Sequence, residues 1–337
     1  MKSVIRTAAG GPEVLQLVER PVPEPGPGEV RVRVHVSGVN PTDWRSRRRA
    51  LPQGMNEQVP HQDGAGVIDA VGSQVDPERI GQRVWIWEAA WESPWGTAQQ
   101  YTLVPDRHAV ALPDHAPFEL GAALGVPALT AHRALTVHDG GPGRIAPGTL
   151  RGTTVLVAGG AGAVGNAAVQ LARWAGARVV TTVSSPAKAA LARAAGAHRV
   201  VDYRTQDAAA EILDFAPEGV DIVVEVAPGA NTSLDIAVAA PGAVVAYYSG
   251  GEGERLSVPV LTSLSANLRW QSVFVYTVPP AAKRQALTDV AAAVDAGALR
   301  VGEEAGLPLH RFVLERVADA HAALEKGVVG KVLLDIP

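Results

Sequence analysis

The chain has 337 residues, a hydrophobic content of 47%, a formal net charge of −4 and no cysteine. These values are typical of a globular protein with two domains, and they exclude disulfides, thiol nucleophiles and cysteine-ligated zinc. The charge balance gives no general attraction to nucleic acid. No apolar run is long enough for a membrane span, and the N-terminus lacks a signal-peptide core, so we expect a cytoplasmic protein without a membrane partner.

The first third of the chain reads as short strands separated by glycine and proline. Residues Glu29 to Val36 alternate valines with arginines and a histidine, which predicts a strand with one buried face. Further predicted strands are Ala65–Val71, Gly81–Trp87 and Gly96–Val104, and a predicted helix covers Phe118–Ala134.

A strand–helix–strand unit follows, with an apolar run, a glycine-rich turn, an Ala-rich helix and a second apolar run. Gly160, Gly162 and Gly165 fit the pattern G-x-G-x-x-G in that turn. Glycine lets the backbone approach a pyrophosphate, and the helix N-terminus offers unpaired N–H groups. The pattern therefore predicts a dinucleotide site formed by Gly160, Ala161, Gly162, Ala163 and Val164, the alternative being a glycine turn without a ligand.

The residues after the second strand indicate which dinucleotide is bound. An NAD site usually has an acidic residue there, which accepts hydrogen bonds from the ribose hydroxyls. This chain has Ser184 and Ser185 instead, followed by Lys188, and Tyr203 comes after a third apolar run. Hydroxyls and a cation suit a 2′-phosphate, so NADPH is predicted over NADH. Lys188 taken alone would be better interpreted as a solvated helix charge.

Strands and helices continue to alternate to the C-terminus. This order predicts a β-rich domain interrupted by a parallel-sheet nucleotide domain, with the last segment returning to the first domain. Because ligands bind at the carboxyl ends of strands in open α/β sheets, we expect the substrate between the domains. The remaining predicted strands are Val220–Val226, Gly242–Tyr247, Leu268–Tyr276 and Gly330–Ile336, and the predicted helices are Asn166–Trp174, Asn231–Ala239 and Ala281–Ala296.

Five ordered motifs carry a family resemblance along essentially the whole chain. They are GGPEVLQL (Gly10–Leu17), SGVNPTDW (Ser37–Trp44), GVPALTAHRAL (Gly125–Leu135), VLVAGGAGAVG (Val155–Gly165) and GKVLL (Gly330–Leu334). With them the chain resembles the zinc-independent medium-chain dehydrogenase/reductases, and among these the quinone oxidoreductases related to zeta-crystallin. The resemblance implies an α/β protein with a GroES-like catalytic domain, residues 1–126 and 277–337, and a Rossmann NADPH-binding domain, residues 127–276.

The activity implied by the resemblance is NADPH-dependent reduction of quinones by hydride or single-electron transfer in a homodimer or homotetramer. A reductase of α,β-unsaturated carbonyl compounds is an alternative that the residues do not separate from it. A weaker alternative is an NADPH-binding regulatory or RNA-binding protein. His61, Tyr101 and water remain open as proton donors to the product.

The positions of zinc ligands in related enzymes hold other residues here. Zinc-dependent relatives carry Cys where this chain has Asn40 and His where it has Gln62, and neither amide is a good zinc ligand. His61 is adjacent to the ligand position, and with Asp63 it provides too few donors. We therefore predict no metal.

Asn40 and Thr130 are the candidate catalytic residues, and both are also candidate cofactor contacts. Asn40 would hydrogen-bond the substrate carbonyl or the nicotinamide ribose, although it could be a simple turn residue. Thr130 would face the nicotinamide, although threonines in helices are often only packed. The other candidate cofactor contacts, each with a plain packing, capping or surface alternative, are Asn231, Tyr248, Ser249, Phe274, Val275 and Lys331.

Two clusters have no assigned role. The arginines Arg45, Arg47, Arg48 and Arg49 are expected to form a solvated surface, with steering of an anionic ligand as the alternative. Four tryptophans between Trp85 and Trp95 could form an aromatic wall for a planar quinone, although a structural role is more common.

Overall fold

A computed structural model describes residues 1–337. The chain divides into two compact units. The first unit contains residues 1–126 and 309–337, and the second contains residues 127–308. None of the helices combines the length and the apolar character that crossing a membrane requires.

The first part of the chain consists mainly of short strands, as the glycine and proline spacing predicts. Its elements are β1 (Lys2–Ile5), β2 (Gln16–Glu19), β3 (Glu29–Val39), α1 (Pro41–Arg47), β4 (Asp63–Val71), β5 (Arg83–Ile86), β6 (Tyr101–Pro105), β7 (Ala109–Ala111) and α2 (Phe118–Gly121).

The second unit alternates helices and strands. Its elements are α3 (Gly125–Leu135, which begins at the end of the first unit), β8 (Thr154–Ala158), α4 (Ala163–Trp174), β9 (Arg178–Val183), α5 (Pro186–Ala194), β10 (Arg199–Asp202), α6 (Ala208–Phe215), β11 (Val220–Glu225), α7 (Pro228–Val238), β12 (Ala239–Tyr247), α8 (Val260–Ser265), β13 (Arg269–Ser272) and α9 (Pro280–Asp295). The chain then returns to the first unit with β14 (Leu309–Val313), α10 (Val317–Glu325) and β15 (Lys331–Asp335).

A seven-stranded mixed sheet organises the first unit. Its order is β14-β15-β3-β4-β5-β7, with β6 also paired to β3. The central strand β3 buries Val30, Val32, Val34 and Val36, as the alternation predicts. The last strand, β15, runs antiparallel to β3 in a register that pairs Val332 with Val39. Residues from the two ends of the chain therefore lie side by side.

A six-stranded parallel sheet organises the second unit. Its order is β10-β9-β8-β11-β12-β13, which is the doubly wound Rossmann order. Strands β8 and β11 are neighbours at the point where the direction of winding reverses, which is where open α/β sheets bind ligands at the carboxyl ends of their strands. The core of this sheet is formed mainly by β-branched and leucine side chains, among them Leu156, Val180, Val201, Val223 and Val245.

Residues 277–308 belong to the second unit, so the predicted return to the first domain at 277 was wrong. Helix α9 is tied to α3 by Asp289, which lies 2.8 Å from His132 Nε2 and accepts the Ile145 N–H at 2.7 Å. Asn166 on α4 donates to the Ala305 carbonyl at 2.8 Å. These buried polar contacts join positions that are distant in the sequence, and no local sequence pattern predicts them.

Several predicted elements have different bounds, and three of these differences matter for the site described below. The predicted helix Phe118–Ala134 is two helices, α2 and α3, because Pro127 lacks an N–H and is accommodated in the first turn of a new helix. The predicted strand Leu268–Tyr276 is shorter, since a 3₁₀ turn occupies Val275–Thr277. Helix α7 begins at Pro228, which places Asn231 inside the helix instead of before it.

Gly66→Ala is expected to destabilise the first unit, because β3 and β4 approach closely at this residue. An added Cβ would lie 2.0 Å from the Arg33 carbonyl oxygen, which is backbone and cannot move aside. We expect a loss of about 3 kcal/mol in the free energy of unfolding, measured by urea denaturation. Gly143→Ala is the control, since nothing lies within 4 Å of its added Cβ. Equal urea midpoints for the two variants would contradict the β3–β4 packing.

Candidate functional site

A glycine turn joins β8 to α4 at the carboxyl edge of the parallel sheet. Gly159 has φ of +71°, which side-chain-bearing residues rarely adopt. A Cβ on Gly160 would lie 2.2 Å from Thr181 Oγ1, and a Cβ on Gly165 would lie 2.4 Å from the Gly159 carbonyl oxygen. The glycines therefore allow α4 to pack directly against the ends of β8 and β9.

This turn leaves room and hydrogen-bond donors for an anion. Asn166 closes the first helical turn by donating its N–H to the Gly162 carbonyl at 2.7 Å. The N–H groups of the residues before Asn166 at the start of α4 have no partner within the helix, as at any helix N-terminus. The nearest atom to a Cβ built on Gly162 would be the Gly159 oxygen at 3.5 Å, so this side of the turn is open. The turn fits a pyrophosphate, and it contains the five residues predicted for it: Gly160, Ala161, Gly162, Ala163 and Val164.

Four predicted residues lie together at the ends of β9 and β10, and we call them the ribose corner: Ser184, Ser185, Lys188 and Tyr203. Ser185 caps α5 by accepting the Lys188 N–H at 3.3 Å. The Lys188 ammonium donates to Ser184 Oγ at 2.9 Å. The Tyr203 N–H donates to the Val183 carbonyl at 3.1 Å, which brings Tyr203 beside the serines. The corner offers hydroxyls and one cation that bonds a neutral oxygen.

A pair of buried acids lies on the other side of the winding reversal, with Glu225 as the last residue of β11 and Asp235 on α7. Glu225 and Asp235 are fully buried, and burial together with the neighbouring Glu225 charge raises the pKa of Asp235 to about 9. Glu225 accepts hydrogen bonds from Asn231 Nδ2 at 3.0 and 3.2 Å. The N-cap alternative for Asn231 is therefore wrong, and its Oδ1 atom is the one left for a ligand. Tyr248 donates its N–H to the Glu225 carbonyl at 3.1 Å.

The remaining predicted contacts of the second unit are spread over several elements. Thr130 is buried on α3. Ser249 follows Tyr248 in the segment after β12. Val275 is buried, whereas Phe274 is 52% exposed and packs edge-to-face on Tyr276. Phe274 and Val275 lie beyond the end of β13, not at its last positions as predicted.

The first unit contains a second group of polar residues, which we call the buried charge cluster: Asn40, Asp43, Asp63 and Lys331. Lys331 Nζ donates to Asn40 Oδ1 at 2.7 Å and lies 3.6 Å from Asp63 Oδ2. Asn40 Nδ2 donates to Asp63 Oδ2 at 2.7 Å. All four side chains are at least 96% buried. Their partners fix the amide of Asn40, since its oxygen faces an ammonium and its nitrogen faces a carboxylate.

Burial dominates the electrostatics of this cluster. It raises the pKa of Asp63, against the opposing effect of the Lys331 charge. It also raises the pKa of Asp43 to about 8, although Asp43 accepts the Asn40 N–H at 2.6 Å. Burial lowers the pKa of Lys331, and the two aspartates oppose that shift. The Lys331 ammonium is thus the main group that offsets the cost of burying the Asp63 carboxylate. Hydrogen bonds from Asn40 Nδ2 and the Val126 N–H add to its effect.

Lys331 therefore has a different environment from the one expected of a phosphate contact. Its ammonium is buried between Asn40 and Asp63 in the first unit, where it is neither solvated nor open to an anion. Asp43 and Glu225 were not predicted as site residues, and Asp63 was considered only as a metal donor, because each acquires its partners through strand pairing or helix packing. Only the motifs around Asn40 and Lys331 marked this region.

Family models and relatives match both units. The alcohol dehydrogenase GroES-like domain matches residues 26–114, and the zinc-binding dehydrogenase family matches residues 163–292. A quinone oxidoreductase from Homo sapiens is 30% identical over 99% of this chain and 97% of its own length. The chain belongs to the quinone oxidoreductase family of zinc-independent medium-chain dehydrogenase/reductases. The predicted family, fold class and oxidoreductase activity are confirmed.

Solved structures support the same architecture for this family member. An NAD-dependent alcohol dehydrogenase is 29% identical, with a TM-score of 0.84 and complete coverage of both chains. A mycobacterial protein solved with NADPH is 27% identical, with a TM-score of 0.81 and coverage of 99% of both chains. An NAD(P)-dependent oxidoreductase on the GroES-like and Rossmann scaffold is therefore established for this chain.

The donor set of this family member does not suit zinc, although one matching family is described as zinc-binding. No group of three or more His, Cys, Asp or Glu side chains is placed to hold a metal ion. Asn40 and Gln62 stand at the positions where zinc-dependent relatives carry Cys and His. The Lys331 ammonium, 2.7 Å from Asn40 Oδ1, would also repel a metal cation at that point.

The arginine and tryptophan clusters, to which the sequence analysis assigned no role, are partly structural. Trp85 and Trp87 are buried in the first unit, and Trp87 stacks on His108 at a centroid distance of 4.1 Å. A wall of four exposed tryptophans is therefore not formed. Arg47 is 1% exposed, so the expectation of a solvated arginine surface was wrong for this residue. Arg45 and Arg48 lie over the Trp44 ring.

Lys331→Met is expected to destabilise the protein strongly, because it leaves the Asp63 carboxylate buried without its cation. Removing one partner of a buried pair typically lowers the free energy of unfolding by about 3–5 kcal/mol. Lys326→Met is the matched control, since Lys326 is an exposed lysine of the same C-terminal segment. Urea denaturation at pH 7.5 measures both. Similar stability of the two variants would show that the cluster does not depend on the Lys331 charge.

Proposed function

We propose that this protein is an NADPH-dependent, zinc-independent reductase of quinones. The relative from Homo sapiens is a quinone oxidoreductase that aligns over nearly the whole chain. The mycobacterial structural relative was solved with NADPH. The glycine turn between β8 and α4 fits the pyrophosphate that NADPH and NADH share, so the choice of cofactor depends on the ribose corner.

The ribose corner carries the proposal for NADPH. Its ammonium bonds the Ser184 hydroxyl at 2.9 Å instead of a carboxylate, which leaves its charge available to an anion. Ser185 and Tyr203 add neutral hydroxyls beside it, and no acidic residue follows β9 where an NAD site usually has one. A 2′-phosphate would gain charge-assisted hydrogen bonds at this position.

NADPH, when bound, supplies the hydride or electron, and the residues of the protein orient the reactants. The α4 N-terminus would hold the pyrophosphate, and Asn231 would offer its Oδ1 atom to the nicotinamide half. Asn40 has a second Nδ2 hydrogen besides the one given to Asp63. We propose that this hydrogen is donated to the substrate carbonyl oxygen, where negative charge develops during reduction. Lys331 and Asp63 keep the amide from rotating.

Lys188→Ala is expected to raise the KM for NADPH by about tenfold or more, because a charge-assisted contact to the 2′-phosphate is lost. The KM for NADH should change by less than about twofold, since NADH has no such phosphate. Steady-state kinetics with both cofactors measure the difference, and Lys326→Ala serves as the control at an exposed lysine. An unchanged preference for NADPH over NADH in Lys188→Ala would rule out the ribose corner as the 2′-phosphate site.

The acceptor is tested by NADPH oxidation at 340 nm with 1,4-benzoquinone, 9,10-phenanthrenequinone and a 2-alkenal, in the presence of EDTA and with NADH in parallel. We expect turnover of the quinones with NADPH, and no effect of EDTA. Turnover of the alkenal alone would identify a double-bond reductase. Binding of NADPH without any turnover would contradict the enzymatic proposal while leaving the cofactor site intact.

A further inference from the structure

A continuous line of buried hydrogen bonds runs through the first unit to the buried charge cluster, and we call it the histidine chain. Arg47 Nη1 lies 3.0 Å from His321 Nδ1, and His321 Nε2 lies 2.8 Å from His61 Nε2. His61 Nδ1 lies 2.9 Å from Ser37 Oγ. Ser37 Oγ lies 2.7 Å from Thr97 Oγ1, which donates to the Asp63 carbonyl oxygen at 2.6 Å. The line connects α1, α10, β3 and the start of β4.

The two ends of the histidine chain determine where every hydrogen lies. A guanidinium only donates, so His321 Nδ1 accepts from Arg47 and a neutral His321 carries its hydrogen on Nε2. His321 then donates to His61 Nε2, which puts the His61 hydrogen on Nδ1, facing Ser37. At the other end the Asp63 carbonyl only accepts, so Thr97 donates to it and receives the Ser37 hydrogen. All bonds of the chain therefore point toward Asp63.

His61, at the middle of the histidine chain, has an uncommon backbone conformation. Its φ is +79°, in the left-handed region that non-glycine residues seldom adopt. Its ring is 1% exposed and is bonded at both nitrogens, to Ser37 and to His321. Backbone strain of this kind persists only where the surroundings enforce it, and it is concentrated at functional sites. His61 stands two residues before Asp63, which bonds both Asn40 and the Val126 N–H.

We propose that His61 and His321 are positioning residues for the proposed quinone reduction, because the histidine chain fixes the Asp63 peptide and thereby the carboxylate that orients Asn40. This inference rests on the proposed function, since it assigns Asn40 to the substrate carbonyl. In this proposal the two imidazoles need not contact the reacting atoms. Their effect on the reaction passes through Asp63.

Position 321 allows the polarity of the chain to be tested. A glutamine amide can accept from Arg47 with its oxygen and donate to His61 with its nitrogen, as neutral His321 does, whereas leucine can do neither. We expect His321→Leu to lower kcat about tenfold, and His321→Gln to stay within about threefold of the unaltered protein. The KM for NADPH should change by less than about twofold in both, because the cofactor is held by the second unit.

His115→Gln is the control for substitution of an exposed histidine. A merely structural role would lower the melting temperature of His321→Leu while the folded enzyme kept the kcat of the unaltered protein, and that result would overturn the proposal. Equal kcat values for His321→Leu and His321→Gln would also overturn it, because the chain depends on hydrogen-bond polarity.

Acid should weaken the chain. A second proton on His61 would set its Nε2–H against the His321 Nε2–H at 2.8 Å, and a second proton on His321 would set its Nδ1–H against the Arg47 N–H at 3.0 Å. The charged groups facing the pair are Arg47 on α1, Glu325 on α10 and Lys331 on β15. Burial and the Arg47 charge lower the pKa of His321 to about 3, so the unfolded state binds the extra proton below the ordinary histidine pKa of 6.5. Between pH 7.5 and 5.0 the unfolding constant of the unaltered protein should rise about thirtyfold more than that of His321→Gln. An identical pH dependence would overturn the neutral state of His321.

Nitrogen NMR of ¹⁵N-histidine-labelled protein tests the chain independently of turnover. Near neutral pH we expect His321 to carry its hydrogen on Nε2 and His61 to carry its hydrogen on Nδ1, with signals assigned from the His321→Gln and His61→Gln variants. The reverse tautomers, or a charged ring, would overturn the chain. Absence of turnover with every acceptor would instead contradict the proposed function and with it the positioning role, while the tautomers would still decide the hydrogen-bond order.

Discussion

The first unit depends on one ammonium group. Lys331 is the first residue of the last strand of the chain. Its ammonium contacts Asn40 and Asp63, which lie in the N-terminal part of the sequence. The pairing of β15 with β3 places it there, and β4 supplies the carboxylate. Because an isolated charge in a protein interior is strongly unfavourable, the lysine and the aspartate can be buried only together.

A buried ion pair is a poor way to gain stability. Well-packed apolar residues of similar volume are often as stable or more stable, since two charges lose their hydration. The pair is better explained by what it does to Asn40, because an uncharged neighbourhood would let the amide rotate. With an ammonium at its oxygen and a carboxylate at its nitrogen, only one orientation of the amide satisfies both groups.

Local chemistry made the second unit predictable. Gly160, Gly162 and Gly165 are spaced by the geometry of one turn, and Ser185 caps the helix that carries Lys188. Each of these features depends on residues a few positions apart, so a sequence pattern records them. The parallel sheet follows from the same alternation of strands and helices.

The charge cluster and the histidine chain depend on contacts that no sequence pattern records. Asp63 meets Lys331 across the sheet, and His61 meets His321 although hundreds of residues separate them along the chain. Arg47 was expected to be a surface charge, and Lys331 was a candidate cofactor contact with a solvated charge as the alternative. Neither interpretation included the remote partners of these residues. The same error explains the misplaced domain boundary at 277, since the His132–Asp289 contact is equally remote in sequence.

The two units thus solve different physical problems with different residues. In the second unit the ligand would bring the charge, so its site consists of glycines, hydroxyls, N–H groups and one lysine without an acidic partner. In the first unit the protein carries both charges itself, and their mutual compensation leaves a neutral amide as the group that we propose would bind a neutral acceptor. A carbonyl oxygen gains negative charge only during reduction. A fixed N–H donor, backed by a carboxylate that restrains it, is suited to that change because it need not reorient as the charge develops.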